Sequence, residues 1–140
     1  MALSKDEREQ FLAQPHIAAL SVNAGVDRGP LTVPMWYQYA PGGEPWVLTG
    51  AGSHKARLIE KAGRFSLMVE QAAPTLRYVA VDGDVGRIEP GTDDHHIELA
   101  RRYLPPERAE RYLKFALALK DQVVIYLRPR HWISADMGAV

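Results

Sequence analysis

The side chains of this chain best suited to chemistry stand together in VLTGAGSHKARLIEKAG, residues 47–63. Thr49, Ser53, His54, Lys55 and Arg57 cluster where a strand runs through a glycine-broken turn into a helix, and no acidic residue follows until Glu60. A helix N-terminus already carries partial positive charge, so cations are misplaced there unless an anion joins them. The unpaired backbone N–H groups of a first turn bind anions readily. Thr49 and Ser53 can donate to phosphate oxygens, Lys55 supplies a point charge, and Arg57 offers a planar fork suited to phosphate or carboxylate. The alternative is that Ser53 simply caps the helix and the cations point into water.

A second group lies in VPMWY, residues 33–37. Proline removes a ladder hydrogen bond, so Pro34 belongs at a sheet edge or where the strand faces something other than a neighbouring strand. A flat ring is one such object, and it needs an apolar wall. Met35, Trp36 and Tyr37 can build that wall; equally, they can be core or interface residues. DDHH (93–96) does not make a metal site. Adjacent histidines do not share a helix face, and no third ligand stands at a useful spacing, so a capping aspartate with exposed histidines is expected. His16, at a strand start, reads as structural. No Ser–His–Asp arrangement and no carboxylate pair stands out. That fits hydride chemistry, where a cofactor reacts and the protein positions it.

These residues need elements to hold them. Ser4 to about Ala13 predicts a helix with a Ser4/Glu7 capping box, ended by Pro15. HIAALSVN (16–23) predicts a buried strand. LTVPMWYQYA (31–40) predicts a long one with Leu31, Val33, Met35, Tyr37 and Tyr39 on one face. PGGEP (41–45) reads as a hairpin turn that returns WVLTG (46–50) as the partner strand. A helix from about Ser53 to Ala62 precedes strands at 64–70 and 76–89, the latter with Gly83 where it can bulge. Helices follow at 93–104 and 106–119, broken by Pro105–Pro106, then strands at 122–129 and 131–135. Six or seven such strands with flanking helices predict an α+β fold, mainly β: an antiparallel split barrel.

The length of 140 residues suits one domain, 1–140. Equal counts of 17 basic and 17 acidic residues set aside a general nucleic-acid binder, so any basic site is a local cluster. With no cysteine there is neither a disulfide framework nor a thiolate site. The charged, amphipathic N-terminus is no secretory signal, and no window is long enough to span a bilayer. A cytoplasmic protein without membrane partners is expected.

PHIAALSVN…GPLTVPMWYQY, WVLTGAGSHKARLIEKAGRFSLMV and YVAVDGDVGRIE together resemble the flavin-binding split-barrel family, whose best-known member is pyridoxamine 5′-phosphate oxidase. The resemblance covers nearly the whole chain. It is nearest to the small actinobacterial subgroup that binds the deazaflavin coenzyme F420. It implies a homodimer with a cofactor at each interface, the ring along Val33, Pro34, Met35 and Trp36, and the phosphate under Thr49, Ser53, Lys55 and Arg57. It also makes Trp132 a stacking candidate near the partner's cofactor, with Tyr78 and Arg130 behind it. FMN oxidases of the family usually carry an arginine where His54 stands and basic residues on the preceding strand, here LTVPMW. The implied function is therefore an F420-dependent oxidoreductase passing a hydride from the reduced deazaflavin to an unsaturated small molecule. Any proton would come from solvent, Tyr37 or Tyr78. An FMN enzyme of the same fold is the alternative, as is a non-catalytic flavin or haem carrier.

Overall fold

The computed structural model describes residues 1–138. In chain order the elements are α1 (Lys5–Ala13), β1 (Ala18–Val22), β2 (Leu31–Met35), β3 (Trp46–Gly50), α2 (His54–Ala62), β4 (Arg64–Gln71), β5 (Arg77–Pro90), α3 (Asp93–Tyr103), α4 (Pro106–Ala116) and β6 (Gln122–Asp136). Local chemistry explains several ends. Ser4 and Glu7 close the expected capping box on α1. Ser53 caps α2 by accepting from the Ala56 amide, and Gly63 ends it in the left-handed region at φ 72°.

The six strands form one antiparallel sheet in the order β2-β1-β4-β5-β6-β3, curled into a split barrel as the sequence predicts. α1 and α2 close the inside of the curl. Phe11 and Leu12 from α1 and Ala56 and Ile59 from α2 pack with Leu20, Leu67, Val79, Val81 and Leu127 of the sheet. α3 covers β3 and β6 on the other side, with Leu99 against Trp46 and Val124. Among the described residues no helix is long and apolar enough to cross a membrane.

Three expectations are corrected. The strand predicted over 31–40 stops at Met35. The five residues assigned to one face do share the core, but the chain leaves the sheet after Met35 because Tyr103 of α3 captures it. The Tyr37 amide donates to the Tyr103 hydroxyl at 3.1 Å, and Trp36 stacks on the Tyr103 ring at 4.8 Å. As a result β3 is not the hairpin partner of β2. It pairs with β6, from Trp46 opposite Tyr126 to Gly50 opposite Gln122, and the isolated Gln38–Trp46 bridge is all that forms of the expected hairpin. The two C-terminal strands are one continuous β6. The pairing shifts register where Gly83 meets Pro129, and a Cβ on Gly83 would overlap the Arg128 carbonyl. The glycine bulge thereby admits a proline inside a long strand.

The outer face of the sheet carries an apolar row. The strand registers place Pro34, Ala19, Met68, Ala80 and Ile133 side by side across five strands. Ile133 is 63% exposed. The adjacent row, Thr32, Ser21, Ser66, Asp82 and His131, is polar.

Candidate functional site

The split between the two sheet edges is a cleft. β2 supplies Pro34 and Met35, the chain beyond it Trp36, β3 Thr49 and Gly50, the α2 cap Ser53, and α2 itself Lys55; the volume is about 490 Å³. Both walls exist because β2 and β3 have no strand beyond them, and Pro34 fits there because an edge strand tolerates a missing donor.

The floor is built from the β3–α2 turn. Thr49 is buried, and its hydroxyl lies 3.3 Å from that of Ser53. Ser53 Oγ in turn accepts from the Ala56 amide at 3.2 Å, and the Arg57 amide reaches the Ser53 carbonyl at 3.1 Å. This leaves the amides of His54 and Lys55 without an acceptor among the described residues. Two free N–H groups, two hydroxyls and one half-buried lysine thus meet at the positive end of a helix. Ser53 does cap the helix, and the cap uses only part of its hydrogen-bonding capacity.

The remaining candidates sit elsewhere. Arg57 is exposed and does not line the cleft. Two residues beyond Lys55 on a helix is more than half a turn, so the two cations diverge. Val33 turns inward and packs on the core. Trp132 faces the same interior, beside Tyr39 and under the Arg8 guanidinium at 4.6 Å, so it does not reach this cleft. Tyr37 is fully buried, and its hydroxyl donates to the Leu12 carbonyl at 2.6 Å. Burial pushes that hydroxyl far above the ordinary tyrosine range, so Tyr37 is a structural tie rather than a proton donor. Tyr78 lies on the outer face beside the apolar row, half-buried. Arg130 is engaged with Asp84 at 2.6 Å.

Sequence reasoning missed the far wall. His96 and Leu99 of α3 and Tyr112 of α4 line the cleft opposite the floor. His95 is the capping partner of Thr92, half-buried, while His96 is only 6% exposed; neither is the solvent-facing histidine expected. The signal was available: His96, Leu99, Ala100 and Tyr103 stand at helical spacing and form one inward face. Burial lowers the His96 pKa below its ordinary value, with Asp93 opposing that shift and His95 adding to it. No group of three or more metal-ligating side chains gathers among the described residues.

No protein-family model matches the sequence, and no curated protein is detectably similar to it. Several solved structures share its fold. A conserved hypothetical protein of Mycobacterium tuberculosis, Rv2991, superposes with a TM-score of 0.75 at 24% identity, covering 97% of this chain and 86% of its own. An F420 reductase gives a TM-score of 0.69 at 23% identity over 89% of this chain and 94% of the other. A putative pyridoxamine 5′-phosphate oxidase from Listeria innocua gives 0.62 at 14% identity over 93% and 96%. The fold is therefore that of the flavin-binding split barrels, as the sequence resemblance implies.

Proposed function

We propose that the protein is an F420-dependent oxidoreductase of the split-barrel type. The observation that carries the reading is the cleft itself, where a ring-sized apolar wall and an anion-binding helix start face one another across the split in the sheet. The residues present fit the coenzyme. The free amides of His54 and Lys55, the hydroxyls of Thr49 and Ser53 and the Lys55 ammonium would hold its phosphate. Pro34, Met35 and Trp36 would wall its ring. When bound, the reduced coenzyme supplies a hydride to an unsaturated small molecule. The chain's own part is to orient the ring, to exclude water with Trp36 and Leu48, and to neutralise the phosphate. Deazaflavin is favoured over FMN because the strand beside the cleft, LTVPMW, offers no cation to a phosphate dianion.

The site is completed, in this reading, by a second copy of the chain. The apolar row from Pro34 to Ile133 is uncovered by any helix among the described residues, and it begins at the cleft. A homodimer joined there would place each cleft at the interface. Titrating F420 and FMN while following tryptophan fluorescence tests the proposal, because Trp36 lines the cleft. Tighter binding of F420 is expected. Tighter binding of FMN would transfer the assignment to an FMN enzyme of the same fold, and binding of neither would overturn it.

A further inference from the structure

His96 is a buried titratable side chain at the cleft that the proposed function leaves without a task. It is more than nine-tenths buried, it lines the cleft, and its imidazole has no hydrogen-bond partner among the described residues. Its ring nitrogens are not among the fully enclosed unpartnered atoms, so they keep access to the cleft, where a ligand acceptor can meet them. On the opposite wall stand Ser53 and Lys55, at a helix start whose His54 and Lys55 amides have no acceptor among the described residues. Two independent features, an unfilled helix start and an unpartnered histidine, therefore open into the same space.

We propose that His96 is a ligand-binding residue of this cleft, its ring N–H bonding an acceptor oxygen of the anionic, ring-bearing ligand that Lys55 anchors. The inference rests on the reading of the cleft as an anionic-cofactor site and adds a contact from a different element of the fold. It places the ligand between α2 and α3 rather than on the β3–α2 turn alone. The groups that face His96 are Asp93 and His95 on α3, Tyr112 on α4 and Lys55 on α2. The β3 and β6 residues at the cleft, Thr49 and Gln122, do not titrate near neutrality. A ligand anion beside the ring favours the imidazolium, so binding takes up a proton. Affinity is then highest below the pKa of the free protein and falls as pH rises through the pKa of the complex.

The test uses F420 and FMN as probes, with dissociation constants measured from about pH 5.5 to 8.5 for the wild type, His96→Gln, His96→Leu and Lys55→Ala. Glutamine keeps a donor but does not titrate; leucine keeps the volume alone. For the ligand that binds, wild-type affinity relative to His96→Gln should fall with rising pH, about tenfold for each unit by which the ligand raises the histidine pKa. Taking the ratio cancels the ligand's own titration. His96→Leu should bind about tenfold more weakly than His96→Gln at every pH, since neither side chain titrates. The His96 imidazole resonance, followed by NMR in the wild type, should move to higher pKa when ligand is added, which reports the contact without any mutant having to fold. Binding that Lys55→Ala weakens while His96 neither shifts nor alters affinity overturns this inference and leaves the cofactor reading standing. Binding of neither probe overturns both.

Discussion

At the scale of the residue, Lys55 and Arg57 separate the two meanings of a basic helix start. Lys55 is half-buried in the cleft and Arg57 is exposed outside it. If Lys55 meets a phosphate, Lys55→Ala should lose about 1.5–3 kcal/mol of charge-assisted contact. That is a tenfold to somewhat over hundredfold loss of F420 affinity, at about 1.4 kcal/mol per decade. Arg57→Ala should change it less than about fivefold, the range of an exposed ion pair at about 0–1 kcal/mol. Without ligand, Lys55→Ala should leave the thermal midpoint unchanged or slightly raised, since a cation leaves the positive end of a helix. An equal effect of both mutations on affinity would show that the ligand reaches beyond the cleft. Titration supplies a second residue-scale expectation. Burial depresses both His16 and His96 below the ordinary 6.5. Just below that value the unfolded chain therefore binds more protons than the folded one, and stability drops as the pH is lowered. It should be level above pH 6.5 and decline below it, and His96→Gln should flatten part of the decline in urea midpoints. A midpoint rising on acidification would contradict the buried, neutral assignment.

At the scale of the element, α3 decides the shape of the cleft although little of it reads as functional in sequence. Its last turn ties the molecule together. The Tyr103 hydroxyl donates to the His16 carbonyl at 2.7 Å and accepts from the Tyr37 amide. Arg102 donates to the carbonyls of Ala13 and Gln14 at 2.9 and 2.8 Å. These bonds draw residues 36–37 out of the sheet and so open the edge on which the cleft depends. Tyr103→Phe keeps the ring under Trp36 but leaves a partly buried N–H and a carbonyl unmet. It should cost about 1–3 kcal/mol, read as a lower urea midpoint, and should alter the Trp36 contribution to fluorescence. Unchanged stability and emission would mean that β2 ends at Met35 for some other reason.

At the scale of the whole molecule, the proposed dimer follows from the row Pro34, Ala19, Met68, Ala80 and Ile133, on the part of the outer sheet face that α3 leaves uncovered. Light scattering should return twice the 15.6 kDa chain mass. Ile133→Glu places a charge on that face, where burial without a partner is strongly unfavourable. It should shift the protein to the monomer at micromolar concentration and weaken cofactor binding with it. A wild-type monomer would remove the shared-interface geometry. A dimer that survives Ile133→Glu would move the interface to another surface.

What the sequence determined by itself is what short-range chemistry controls. The Ser4/Glu7 and Ser53 caps, the glycine stop at Gly63, the alternation of Leu31, Val33 and Met35, and the gathering of Thr49, Ser53 and Lys55 are set by residues a few positions apart. Caps, pleats and helical spacing act over that range. The resemblance carried in the same segments was enough for the fold. Tertiary structure decided which strand lies beside which, and with it the site. β3 pairs with β6 rather than β2 because Tyr103, far along the chain, takes the Tyr37 amide out of reach. His96 faces the cleft because the inward face of α3 happens to close that gap. Arg57 leaves it because helix pitch turns it away. No local pattern encodes such pairings: their free energy lies in contacts between distant segments, and these exist only once the sheet has curled and left its two edges apart.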